Sequence, residues 1–169
     1  NSGAAYVFIR SGTSWSQQAK LKATSPTLND NFGFSVSISG DGNYVAVSHK
    51  NEGGGASADG AVEIFVRSGT SWSFQQKIQP SDIAASDFFG GATGQQHGAV
   101  KLNGDGTYLI AGSSGDDTTQ SAAGAAYIFT RSGTSWSQQA KIVASDPTAN
   151  KNFGRVVSMV HFHYFRLEN

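Results

Sequence analysis

Arg-Ser-Gly-Thr-Ser-Trp stands at residues 10–15, again at 67–72 and a third time at 131–136. A chain that repeats itself in this way is a repeat array, and every other residue is read within that unit. Working outward, Gly-Ala-x-x-x-Phe begins at Gly3, Gly60 and Gly124, and Phe-Gly pairs begin at Phe32, Phe89 and Phe153. Arg10 and Arg67, Gly3 and Gly60, and Phe32 and Phe89 are all separated by 57 residues. Arg67 and Arg131, Gly60 and Gly124, and Phe89 and Phe153 are all separated by 64. The extra seven residues can be placed: Phe32 to Asp41 spans nine positions, whereas Phe89 to Asp105 spans sixteen. An insertion near 91–97 is expected to form a loop on one face of the array.

Within one unit, Phe32, Phe34, Val36 and Ile38 alternate with Gly33, Ser35, Ser37 and Ser39. This period of two predicts a strand with one apolar face and one face of small residues, against which a neighbouring backbone can come close. Gly40-Asp41-Gly42-Asn43 is a tight-turn sequence leading into the strand Tyr44-Val45-Ala46-Val47-Ser48. A Gly-rich loop over 50–59 precedes the strand Ala61-Val62-Glu63-Ile64-Phe65-Val66, and Ser68-Gly69-Thr70-Ser71 turns it into a fourth strand, from Trp72 to Ile78. Each unit therefore reads as a four-stranded antiparallel meander. In the later copy Tyr127 and Phe129 share one face while Ala126 and Ile128 share the other, the pattern of a sheet sandwiched between like sheets. The predicted fold class is all-β: a propeller-like array of about three tandem four-stranded blades, incomplete at both ends. The expected divisions are a closing half-blade of two strands at 1–28, a first full blade at 29–86, a second with the insertion at 87–150, and an opening strand with an atypical tail at 151–169.

Composition narrows the function. Charged residues make up 14% of the 169 and balance, twelve basic against twelve acidic. That leaves no electrostatic footprint for nucleic acid or an anionic membrane, so neither is an expected partner. No apolar run reaches the length of a membrane-spanning helix. Cysteine is absent, which removes disulfides and thiolate metal sites. There is no Asn-x-Ser/Thr sequon, leaving Ser and Thr as the common glycan acceptors. Catalytic signatures are missing as well. Gly53-Gly54-Gly55 lacks the Lys-Ser/Thr of a phosphate loop, and no serine sits in a Gly-x-Ser-x-Gly elbow.

These units resemble the FG-GAP repeats of integrin-alpha-like β-propellers. The resemblance rests on Phe-Gly-Phe-Ser-Val-Ser-Ile-Ser-Gly-Asp-Gly from Phe32, Gly-Ala-Ala-Tyr-Val-Phe-Ile-Arg-Ser-Gly from Gly3 and Trp-Ser-Gln-Gln-Ala-Lys-Leu from Trp15. It implies four-stranded blades, an extracellular or cell-surface setting, a role in adhesion or assembly, and no enzyme activity. Calcium-binding members of that family carry Asp-x-Asp-x-Asp-Gly-x-x-x-Asp, which this chain does not supply. Asn29-Asp30-Asn31, Asp82 with Asp87, and Asp116-Asp117 are partial matches, and a lone Asp in a Gly loop reads as a turn former. No cofactor or catalytic residue is expected. The candidate metal-ligating residues are Asp116 and Asp117, and His161 and His163, which would share one face of a strand.

Closed propellers need about four to eight blades, so two blades and two partial ones do not close alone. The tail from Val156 to Phe165 reads as one continuous apolar strand without a partner in its own unit. An open apolar strand invites pairing with another chain. The expected function is therefore a non-enzymatic extracellular scaffold that self-assembles head-to-tail, as a homo-oligomer or polymer, into a filament or ring. The expected donor strand comprises Phe153, Val156, Val157, Met159, Val160, Phe162, Tyr164 and Phe165. The acceptor strands carry Tyr6, Val7, Phe8, Ile9 and Trp15. The alternative is a calcium-dependent adhesion or ligand-binding segment of a larger cell-surface propeller. It would present loops 50–59, 90–97 and 113–123 to glycans or other surface ligands.

Overall fold

The computed structural model describes residues 3–52, 58–92 and 98–159. Ten strands follow one another: β1 (Ala5–Ser11), β2 (Ser14–Leu21), β3 (Phe32–Ile38), β4 (Tyr44–His49), β5 (Ala61–Ser68), β6 (Ser71–Ile78), β7 (Val100–Leu102), β8 (Tyr108–Ser113), β9 (Ala125–Ser132) and β10 (Ser135–Ile142). They form a two-stranded sheet β1-β2 and two four-stranded sheets, β3-β4-β5-β6 and β7-β8-β9-β10, all with antiparallel neighbours. The fold is the expected all-β array of meanders, and none of the sheets is closed.

The thrice-repeated phrase builds the outer hairpin of each sheet. Arg10 faces Trp15, Arg67 faces Trp72 and Arg131 faces Trp136 in register, and Ser-Ser pairs close each hairpin over a Gly-Thr loop. Only the first loop residue, Gly12, Gly69 or Gly133, has a positive φ, close to +60°. That is the type II′ turn whose twist matches the strands it joins. All three hairpins also carry an irregularity in the middle of the pair. The inner turns use their aspartates as predicted. Asp41 Oδ1 accepts hydrogen bonds from Ser39 Oγ and the Asn43 amide, and Asp105 Oδ1 accepts from the Thr107 amide and hydroxyl.

Successive sheets stack face to face. One core layer joins Ala46, Val62, Ile64 and Ile78 to Leu102, Leu109, Tyr127, Phe129 and Trp136. A second joins Val7 and Leu21 to Phe32, Val45, Val47 and Phe65. On the small-residue face of β3 the approach is close enough for Ser37 Oγ to accept the Leu102 amide at 3.0 Å. The tryptophans bind each sheet to the one before it: Trp72 Nε1 donates to Gln18 Oε1 at 2.8 Å, and Trp136 Nε1 donates to Gln75 Oε1 at 3.0 Å.

The Phe-Gly pairs form a further link. Gly3, Gly60 and Gly124 make parallel bridges to Phe32, Phe89 and Phe153, so each unit hooks onto the start of the next. The two full units differ where the first strand of each begins, and residues 93–97 of the expected insertion lie outside the described residues. β3 begins at its phenylalanine, whereas in the next unit Phe89 makes isolated bridges to Gly60 and Ser113 and β7 begins at Val100.

Candidate functional site

Two charged clusters and one open groove lie at the junctions between sheets. In the first cluster β4 ends at His49, which is 1% exposed and stands edge-on to Phe32 at 4.8 Å between ring centroids. Its Nδ1 lies 3.2 Å from Glu52 Oε2 and its Nε2 3.4 Å from Glu63 Oε1. Among the described residues neither ring nitrogen has a hydrogen bond of good angle, and neither does Glu52 Oε2. Glu63, fully buried on β5, accepts from the Thr24 amide at 3.2 Å and the Thr24 hydroxyl at 2.7 Å. Burial pushes the Glu63 carboxyl up, but the His49 imidazole and the Thr24 donors outweigh it and hold the group below its ordinary value. Asp30 is also fully buried and accepts from the Thr27 amide at 2.6 Å and from the Thr27 hydroxyl. Lys77 meets the outer edge of the cluster at Glu52 Oε1, 2.6 Å away.

The second cluster occupies the same repeat positions, with three of the five residues changed. Asp87, Ser113, Asp116, Tyr127 and Lys141 stand where Asp30, His49, Glu52, Glu63 and Lys77 stood. Lys141 Nζ enters this cluster, 2.7 Å from Asp116 Oδ2 and 2.8 Å from Asp82 Oδ2, and Tyr127 donates to Asp116 Oδ2 at 2.8 Å. Burial opposes ionisation of Asp116, but Lys141, Tyr127 and the Thr118 amide hold its carboxyl below the usual range. Lys141 is held above its usual value by the same carboxylates against the effect of burial. Burial and the Asp116 carboxylate push the Tyr127 phenol far upward. Among the described residues the Ala84 amide is the close donor to Asp87. Burial, with Asp116 and Asp117 nearby, pushes its carboxyl up to about 6.

The sequence candidates are dispersed by this geometry. Asp116 is buried and satisfied by Lys141 and Tyr127, while Asp117 is exposed. His161 and His163 lie outside the described residues. The cluster of Asp30, His49, Glu52 and Glu63 was missed by sequence reasoning. Its four members are scattered over 34 residues, and the signal that existed was Asn29-Asp30-Asn31, read only as an incomplete calcium loop.

The open groove lies beside β1. It encloses about 620 Å³ and is lined by Tyr6, Phe8 and Trp15 on one side and by Val36 and Ile38 of β3 on the other. Repeat register reveals what is missing. Phe8, Phe65 and Phe129 are equivalent positions, yet they are 53%, 5% and 2% exposed. Ile38 is 52% exposed and its equivalent Leu102 is 3% exposed. β5 and β9 are flanked on their inner edges by β4 and β8, whereas β1 pairs only with β2.

Of the expected acceptor residues, Tyr6, Val7, Phe8 and Trp15 line this groove, Val7 also packing into the core, while Ile9 is exposed outside the lining. The described part of the expected donor behaves differently from a continuous strand. Phe153 bridges Gly124, the chain turns at Gly154 with φ +82°, and residues 155–159 are irregular. The Val157 amide donates to the Gly98 carbonyl at 3.0 Å, which ties Val156 and Val157 to the loop before β7. Val160, Phe162, Tyr164 and Phe165 lie outside the described residues.

Comparison with known proteins agrees with this architecture. No curated protein matches the chain. The family described as the FG-GAP repeat matches over residues 15–65, 72–129 and 136–161. Each match starts at the tryptophan of an outer hairpin and crosses into the following sheet, so it spans the Trp-to-Gln junction as well as the strands. Over most of its length, through repeats whose Phe-Gly bridges and tryptophan contacts recur in space, this chain belongs to the FG-GAP repeat family.

Proposed function

We propose that this chain is a non-enzymatic, extracellular or cell-surface scaffold that associates head-to-tail by completing a blade. The carrying observation is the groove beside β1, whose lining positions are buried or, at Trp72, partly buried in the later repeats. A groove bounded by repeat positions has a shape set by the repeat, and it fits an inner strand pair of the β3–β4 type. Phe153 occupies the position of Phe32 and Phe89 and makes the same bridge to the preceding unit, so the segment it begins is the one that would open such a pair. A second copy of the chain is therefore the occupant, and the contact is heterologous, giving a ring or a filament according to the rotation.

Light scattering of the chain at micromolar concentration tests this directly. Assemblies well above 17.7 kDa are expected, and deletion of residues 156–169 is expected to reduce them to monomers. A monomeric full chain, or a truncated one that assembles as before, sinks the proposal.

A second reading, an adhesion module, is favoured by one observation. The loop after β8 is pinned at its base by Asp116, Tyr127 and Lys141, as a binding loop on a rigid sheet would be.

A further inference from the structure

We infer that Asp30, His49 and Glu52 form a binding site for one first-row divalent cation, with Glu63 as the carboxylate behind the imidazole. One nitrogen of His49 and one carboxylate oxygen from each of Asp30 and Glu52 lie within 4.8 Å of one another. Two further observations point to a ligand. His49 is almost wholly buried, yet among the described residues both of its nitrogens and Glu52 Oε2 beside it lack a well-directed hydrogen bond. Buried polar atoms are rarely left so, and an unmade partner is the usual reason.

The second observation is charge. Three carboxylates, two of them fully buried, converge on one imidazole, and the ammonium of Lys77 reaches only the outer edge at Glu52. Buried carboxylates need compensating charge. At the equivalent junction Lys141 enters the cluster itself and Tyr127 replaces a carboxylate, so that site is closed by an ammonium. The first junction keeps the carboxylate and puts an imidazole where the second has Ser113.

The donor set fixes the class of cation. Imidazole with carboxylates suits zinc, manganese and their neighbours, whereas calcium asks for six to eight oxygens. Asp30 is oriented by both Thr27 donors, and His49 by the ring of Phe32. Glu63 stands on the Nε2 side of the ring while Glu52 stands on the Nδ1 side. A carboxylate behind a ligating imidazole is the common way of fixing its tautomer and raising its basicity. The bound ion would tie the segment before β3 to the end of β4 and so lock the first junction.

The test is calorimetric titration of the full chain with zinc or manganese chloride, in a background carrying His161→Ala and His163→Ala so that the tail does not compete. One ion per chain and a raised melting temperature are expected. Glu52→Gln, at a partly exposed position that leaves folding intact, should weaken binding at least tenfold. Glu63→Gln should weaken it about tenfold as a supporting residue, and calcium should bind more weakly than either metal. Absence of saturable binding, or an affinity unchanged in both Glu52→Gln and His49→Gln, overturns the site. If His49→Gln does not fold, Glu52→Gln decides alone.

Discussion

Asp87 is the residue at which burial and charge conflict most openly, and its consequence is a pH dependence of definite sign. Its carboxyl titrates near 4 in the unfolded chain but is pushed up to about 6 in the folded protein, by burial first and by Asp116 and Asp117 as well. The folded state therefore holds this proton more tightly. The stability it contributes is complete below about pH 4 and is lost as pH rises through about 6. Asp87→Asn keeps the acceptor for the Ala84 amide and removes the charge. Urea denaturation should find the variant more stable at pH 7 by up to roughly 3 kcal/mol and equal to the parent near pH 4. A difference that stays constant across that range would contradict the assignment. Comparison with the parent cancels the opposite, acid-side contributions of Asp82, Asp116 and Asp41, whose carboxyls lie below their ordinary values. None of this was legible in the sequence, where Asp82 with Asp87 resembled only a fragment of a calcium loop. Whether a carboxylate is a ligand, a turn former or a buried acid is decided by what the fold places beside it. Asp41 illustrates the reverse case: the Gly-rich context alone identified it as a turn residue, because its partners Ser39 and Asn43 are two positions away.

At the scale of elements, glycine has two separate uses here that one pair of substitutions separates. Gly60 has φ +86°, and a Cβ there would meet the Phe89 carbonyl oxygen at 2.2 Å, so the parallel bridge between units requires it. Gly69 has φ +61° and open space around it. Gly69→Ala should cost about 1–2 kcal/mol, the intrinsic penalty for a left-handed residue. Gly60→Ala adds a backbone clash between two sheets and should cost about 3 kcal/mol or more. Equal losses in thermal or urea unfolding would mean that the bridge is not a constraint. Local elements were the most legible part of the chain. Period-two alternation and turn residues located ten strands and two kinds of hairpin, because both signals arise from neighbours in sequence. The insertion was legible through spacing, although its effect, a β7 of three residues with Phe89 left as a bridge, was not. The tail was the least legible. Its apolar run reads as a strand, but Gly154 turns the chain and Gly98, 59 residues before Val157, takes the amide. That contact is a tertiary one, beyond the reach of a local pattern.

The whole molecule is a ladder of tryptophans, and its open end supplies the sharpest discrimination between folding and assembly. Trp136 is 5% exposed against the preceding sheet and Trp72 is partly buried in the same way, whereas Trp15 is 65% exposed, with no sheet packed over it among the described residues. The acceptors run in step: Gln18 serves Trp72, Gln75 serves Trp136, and the next in register, Gln139, is exposed on β10. The proposed head-to-tail association would set Trp15 of one copy against Gln139 of another. Trp136→Ala removes a buried indole and should destabilise the chain by about 3–5 kcal/mol. Trp15→Ala changes an exposed ring and should alter the stability of a dilute, monomeric sample by no more than about 0.5 kcal/mol. The same Trp15 substitution should abolish the large species seen by light scattering at micromolar concentration, and Gln139→Ala should weaken them. The two substitutions thus separate effects that a deletion would mix, since one acts within the chain and the other between chains. If Trp15→Ala leaves the assembled mass unchanged, the N-terminal face is not the contact surface. If it destabilises the monomer as much as Trp136→Ala does, Trp15 is covered by this chain itself, and the register argument for association fails with it.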